Sequence, residues 1–346
     1  MKVLFIASVL TLVGSCTNIR YTQKIENLKE SIVFEDIETI SKYSNTITSE
    51  ELSKHVYALC APDFEGRETG KRGFNKASKF LKDFYVSNDI PSPLGGDNYY
   101  QNIPKFYFSK NSPASQNVVA YIEGSTYPEE VVIISGHLDH LGISNDETYY
   151  GADDNASGTA AVMEMAKAFS LAKKEGHGPK RSILFLHLTA EESGLLGSSY
   201  YVKHPIYALE HTVVNLNIDM IGRVDRIYEE KQEENYIYII GADRLSTKLH
   251  YISEVANAQF TNLILDYKYN DDRDNNRYYY RSDHYNFALQ NIPVIFYFNG
   301  DHADYHQPTD TPDKINYPLL QKRTQLIFST AWYIANSEDR LEADKM

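Results

Sequence analysis

Six stretches of the chain are apolar at consecutive rather than alternating positions: 117–123, Val131 to Ser135, Ser182 to Thr189, Thr212 to Ile218, Tyr236 to Ile240 and Pro293 to Phe298. Runs of this kind mark strands covered on both faces, as in the middle of a parallel sheet. Between and after them lie segments of helical periodicity, at Ser157 to Lys174, Gly194 to Lys203, Ser246 to Ala258, His284 to Gln290 and Pro318 to Asn336. The alternation predicts an α/β fold, a three-layer αβα sandwich around a mostly parallel central sheet. Upstream, Thr48 or Ser49 caps a helix running through Cys60, and Glu51 stands three residues after Thr48 as in a capping box. The turn-rich Gly66-Arg67-Glu68-Thr69-Gly70 precedes a second helix, Phe74 to Ser87, and Pro91 to Gly96 is a loop.

Two segments fall outside this alternation. Residues 17–47 are polar, with Ile25, Leu28, Ile32, Ile37 and Ile40 at loosely helical spacing, and read either as a spacer or as a docked helix. Residues 268–281 form a Tyr-rich polar insertion, expected as a surface loop near the carboxyl ends of the strands.

The first fifteen residues have the pattern of an export leader. Lys2 is followed by an apolar run from Val3 to Val13, too short to span a bilayer stably, which needs about 20 residues. Small residues then lead into Cys16, which resembles the lipobox of bacterial lipoproteins. That resemblance implies that Cys16 is acylated and anchors the mature chain to a bacterial membrane. The expected organisation is therefore a leader at 1–15, a spacer or helix at 16–47, and one catalytic domain over 48–346.

Composition narrows the partners. The net charge is −13 over 346 residues with no concentration of Lys or Arg, which argues against nucleic acid. Of two cysteines, Cys16 belongs to the leader junction, so Cys60 has no partner for an intrachain disulfide and reads as a small core residue.

The candidate chemistry collects just after the apolar runs, the edge where open α/β sheets bind ligands. His137, Asp139 and His140 follow the 131–135 run; Asp153-Asp154-Asn155 opens the next helix; Glu191-Glu192 follows 182–189; Asp219 follows 212–218; His306 follows 293–298. His137, Asp154, Glu192, Asp219 and His306 offer two imidazoles and three carboxylates. That set suits two metal ions, each with one His and one carboxylate of its own, sharing a bridging carboxylate. Asp139 is placed to orient an imidazole, and Glu191 is free to act as general base on a metal-activated water. Five clustered carboxylates, those of Asp139, Asp154, Glu191, Glu192 and Asp219, could not all stay ionised without cations. His187 and the histidines at 55, 177, 204, 211 and 250 read as packing or surface residues; His140, His284 and His302 read as neighbours of the site. Asp283 reads as a helix cap first and a pocket residue second.

The segments GHLDH, GADDNASG, AEESGLLGS, NIDMIGR and YHQPTDTPDKI closely resemble the co-catalytic zinc exopeptidases typified by the bacterial leucyl aminopeptidases, with glutamate carboxypeptidase II as a relative. The resemblance covers Ser49 to Trp332. It implies two Zn²⁺ per chain, with His137 and Asp219 on one, Glu192 and His306 on the other, and Asp154 bridging. It further implies Glu191 as the base, Asp139 orienting His137, and a cis peptide after Asp154. The implied activity is removal of N-terminal residues from peptides. The alternatives are carboxypeptidase or dipeptidase action on the same site, glutaminyl cyclisation with one zinc, and a non-catalytic binding role such as the transferrin-receptor ectodomain has.

Overall fold

The computed structural model describes residues 22–109 and 112–345; the leader and Cys16 lie outside the described residues. Among the described residues there are ten strands: β1 Tyr100–Ile103, β2 Ser115–Ile122, β3 Tyr127–His137, β4 Gly142–Ser144, β5 Glu147–Tyr149, β6 Arg181–Leu188, β7 Thr212–Ile218, β8 Tyr236–Ile240, β9 Ile264–Asp266 and β10 Val294–Phe298. Eight form one sheet in the order β1-β2-β6-β3-β7-β10-β8-β9, and β4 pairs with β5 as a separate hairpin. The four central strands β6, β3, β7 and β10 run parallel. The flanks are mixed: β1-β2, β2-β6 and β10-β8 are antiparallel, and β8-β9 is parallel.

The longer helices after residue 36 are α1 Ile37–Ser44, α2 Ser49–Leu59, α3 Arg72–Ser87, α4 Gly158–Lys174, α5 Leu196–Lys203, α6 Thr247–Phe260 and α7 Tyr317–Asn336. Side chains alternate across the sheet. Val132 and Ile134 of β3 face a core made with α1 to α4, α6 and α7. Val131 and Ile133 face the other layer, thinner and aromatic, where Tyr201, Tyr238, Tyr269, Tyr278 and Phe287 pack. A double-faced burial of this kind is what consecutive apolar residues require.

Residues 37–47 are docked, with Tyr43 and Ile47 fully buried and α1 packed on α4 and α7. Thr48 caps α2 by accepting from the Glu51 amide at 3.3 Å. The reciprocal half of the box is replaced, because the Glu51 carboxylate bonds Lys54 at 2.6 Å and Lys167 at 3.0 Å.

Arg67 ties this framework to the loops above the sheet. It is fully buried, and its guanidinium donates to the carbonyls of Leu138 at 2.9 Å and of Leu59, Tyr150 and Gly151 at 2.8 Å each. One side chain therefore joins the end of α2 to both segments that flank His137-Asp139 and Asp154. Arg67→Met is expected to lower stability by about 3 kcal/mol or more, since each buried carbonyl left unpaired costs about 1–3 kcal/mol. Denaturant unfolding of the two proteins measures it; a change under about 1 kcal/mol would mean the loops close over the gap.

Candidate metal centre

The four parallel central strands stop at neighbouring positions, which sets their following residues side by side. His137 is the last residue of β3, Asp219 directly follows β7, and Glu191-Glu192 follow β6 after Thr189-Ala190. His306 arrives on the loop after β10, and Asp154 on the irregular turn leading into α4.

Asp154 lies at the middle. Its Oδ1 is 3.2 Å from His137 Nε2, and its Oδ2 is 3.1 Å from His306 Nε2. His137 Nε2 is also 3.2 Å from Asp219 Oδ1, and His306 Nε2 is 3.2 Å from Glu192 Oε2. Donors around a tetrahedral zinc with bonds near 2.0–2.1 Å stand roughly 3.3 Å apart. The two groups therefore have the spacing of two metal shells sharing one carboxylate. His140 enters the second group, its Nδ1 2.7 Å from Glu192 Oε1 and 3.8 Å from Asp154 Oδ2. The peptide between Asp154 and Asn155 is cis.

The electrostatics favour positive charge in the cluster. Burial opposes ionisation of Asp154, yet hydrogen bonds from His137 and His306 hold it well below the usual carboxylate range. Burial likewise opposes protonation of the imidazoles. The charges of Asp219 and Glu191 overcome it at His137, which rises well above its ordinary value, and hydrogen bonds to Asp154 and Glu192 push His306 up to about 10. Glu191 differs: half-buried at the pocket wall, its carboxyl is pushed well above the ordinary range by enclosure in protein. It carries no hydrogen bond to a ligand side chain among the described residues, whereas both oxygens of Glu192 face imidazoles.

Asp139 departs from expectation. Its backbone carbonyl, not its carboxylate, receives His137 Nδ1 at 3.0 Å, while the nearer carboxylate oxygen is 3.9 Å away. That carboxylate instead accepts from the Glu191 amide at 3.1 Å and the Thr69 hydroxyl at 2.9 Å. The extended backbone turns the carbonyl towards the ring, and the side chain reaches across to the β6 loop. Asp283 also departs: it is buried, makes no capping bond, and accepts from the Ser198 hydroxyl. Burial pushes it up to about 7.

One support, a chain of hydrogen bonds below Asp219, was not singled out in the sequence. Asn215 donates to Ser135 at 2.8 Å, Ser135 donates to Asn217 at 2.8 Å, Asn217 donates to Ser282 at 2.8 Å, and Ser282 donates to Asp219 at 2.6 Å. This buried chain fixes Asp219. Two asparagines at alternate positions of an otherwise apolar strand were its visible signal. Asp310 accepts from the amides of Asp153 and Asp154 at 3.0 and 3.2 Å, and His302 pairs with Asp153 at 3.2 Å. Gly158 admits Asn155, since a Cβ there would lie 2.3 Å from Asn155 Oδ1. His187 and His284 are buried in the core, and burial lowers both to about 3. A further trio, Glu51, His55 and Glu164, is already paired with lysines: Lys167 lies 3.0 and 3.4 Å from the two carboxylates, and Lys54 2.6 Å from Glu51.

A pocket opens beside the centre. Its walls are Asp154, Glu191, Asp219, Met220, Phe296, Phe298, Asp301 and Tyr305, with Tyr278 and Arg281 from the end of the Tyr-rich insertion. The 268–281 segment thus reaches the site, through two short helical turns at Lys268–Asn270 and Tyr278–Tyr280.

Residues 117–331 match peptidase family M28. The chain is 25% identical over 228 residues to the probable aminopeptidase YDR415C of Saccharomyces cerevisiae, covering 64% of this chain and 58% of that protein. It is 26% identical over 234 residues to the aminopeptidase YwaD of Bacillus subtilis, covering 65% and 46%. The chain thus spans about half the length of the curated relatives it matches. In fold it is similar to the LapA aminopeptidase of Legionella pneumophila, with a TM-score of 0.67 at 18% identity over 89% of this chain and 76% of that one.

Proposed function

The chain belongs to peptidase family M28, and on that premise we propose that it is a zinc-dependent exopeptidase that removes N-terminal residues from peptides. The observation that carries the reading is Asp154, which turns one carboxylate oxygen to each of two His–carboxylate pairs while Glu191 stands free at the same pocket. His137 and Asp219 would hold one zinc, His306 and Glu192 the other, and Asp154 both. Zinc bound there supplies Lewis-acid polarisation of the scissile carbonyl and a nucleophile at neutral pH.

The remaining work falls to the protein. Glu191 takes the proton of the attacking water and delivers it to the leaving amine. Asp139 holds the Glu191 amide and, through its carbonyl, the His137 ring, so base and ligand keep a fixed separation. The pocket receives the side chain of the residue being released.

A panel of peptides with free and blocked amino termini tests the reading on zinc-loaded protein. Stepwise release from the free amino end is expected, and N-acetylation should abolish it. Cleavage of the blocked peptides from the carboxyl end would instead make the chain a carboxypeptidase.

The leader pattern supports a proposal on location: the protein is exported and held at a membrane through acylated Cys16. Cys16→Ser made in the native host is expected in the soluble fraction. Finding the unaltered protein there already would remove the anchor.

A further inference from the structure

The pocket beside the centre contains one cation that makes no ion pair with a carboxylate among the described residues. Asp154, Glu191 and Asp219 belong to the cluster. Asp301 makes no direct ion pair with the neighbouring Arg281 among the described residues and acts on it only through space: its Oδ2 accepts from the Tyr278 hydroxyl at 2.6 Å, and its Oδ1 is buried. Arg281 is exposed, and its hydrogen bond to the Tyr305 hydroxyl, at 3.3 Å, is the one its guanidinium makes among the described residues. The guanidinium lies over the Tyr278 ring, with Cζ 4.9 Å from the centroid. Tyr305 stacks in turn on His306, with centroids 3.9 Å apart. The cation is thus shelved between two tyrosines next to the reacting centre, with most of its donors open to the pocket.

Several other arginines among the described residues are held by carboxylates or carbonyls, although Arg277, like Arg281, lies over a tyrosine ring. Arg223 pairs with Asp304, Arg244 with Asp272 and Arg181 with Glu130, while Arg67 and Arg323 are spent on backbone carbonyls. A stacked guanidinium loses little freedom on binding, and its fork matches a carboxylate. The same pocket is also lined by the apolar Met220, Phe296 and Phe298, which suits a short methylene stem beside a charged head.

We propose that Arg281 is the specificity-determining residue of this pocket and takes a carboxylate of the substrate. The proposal rests on the exopeptidase reading and deepens it, by naming a carboxylate as the substrate group this pocket recognises. The carboxylate comes either from an N-terminal Glu or Asp side chain or from the free carboxyl end of a short peptide.

The test compares wild type, Arg281→Met and Arg281→Lys, all zinc-loaded, on Glu-Ala-Ala-amide, Leu-Ala-Ala-amide and Leu-Ala-Ala. Binding of free glutamate and free leucine by calorimetry gives a readout independent of turnover. In Arg281→Met, the ratio of kcat/KM for the Glu over the Leu amide is expected to fall about tenfold or more. Glutamate binding should weaken by a similar factor relative to leucine, with partial recovery in Arg281→Lys. A loss confined to Leu-Ala-Ala against its amide supports the same recognition, with the terminal carboxylate as its source. Equal changes on all three peptides, or none, with no Arg281-dependent preference for glutamate, would overturn the proposal. Glutamate binding that depends on Arg281 without cleavage of any peptide would support it and sink the exopeptidase reading alone.

Discussion

Glu191→Gln is expected to lower kcat by about 10²–10⁴-fold while metal content stays unchanged. The amide has the shape of the carboxyl but cannot accept a proton. The anchoring of residue 191 survives the change, because Asp139 holds its backbone amide and not its side chain. KM should move little, since the side chain is asked to act in the transition state and not to bind the ground state. Glu192→Gln provides the contrast. Both Glu192 oxygens face imidazoles, at 2.7 Å for His140 and 3.2 Å for His306, so its amide should weaken metal binding first and activity as a consequence. Activity and elemental analysis of both variants separate the two roles. A metal-depleted Glu191→Gln that regains activity at saturating zinc, beside a metal-replete, inactive Glu192→Gln, would mean that the adjacent glutamates have been assigned in the wrong order.

The sheet was legible because its interior strands are buried on both faces and so must be apolar throughout. β7 and β8 have the bounds read from the sequence, and β2, β3, β6 and β10 differ by a few residues at their ends. The edge strands β1 and β9 were not legible. They are three or four residues long and pair mainly on one side, so a sequence such as Tyr-Gln-Asn-Ile shows no sustained pattern. At the site, the strand-end rule was enough to bring His137, Asp154, Glu192, Asp219 and His306 into one list. It could not say which atom of Asp139 meets His137, because that depends on backbone direction within one extended turn. Nor could it find the Asn215-Ser135-Asn217-Ser282 chain, whose members lie on three segments and have meaning only once β3 and β7 are paired. Arg67 was hidden for the same reason: its four acceptors are main-chain carbonyls, and carbonyls leave no mark on composition.

Asp154→Asn is expected to have the widest effect on metal binding of any single substitution at the centre. The wild-type carboxylate turns Oδ1 to the His137–Asp219 pair and Oδ2 to the His306–Glu192 pair, and an asparagine keeps only one oxygen. One group then loses a ligand and meets an amide NH₂, while the other loses the negative charge that both imidazoles now share. Removing an outer-shell partner of a metal ligand costs about 10–100-fold in affinity, and a direct ligand should cost more. Asp219 belongs to one group only, so Asp219→Asn should release one metal and leave the second near its original affinity. Metal per chain, measured across a chelator series, distinguishes the shared ligand from the unshared one. Stability follows by mass action, each tenfold loss of affinity removing about 1.4 kcal/mol of the stabilisation that saturating metal provides. The gap in Tm between zinc-loaded and chelated protein should therefore nearly close in Asp154→Asn and only narrow in Asp219→Asn. If Asp154→Asn kept two tightly bound metals while Asp219→Asn lost both, Asp154 would not be the bridge, and the two shells would have to be redrawn around Asp219.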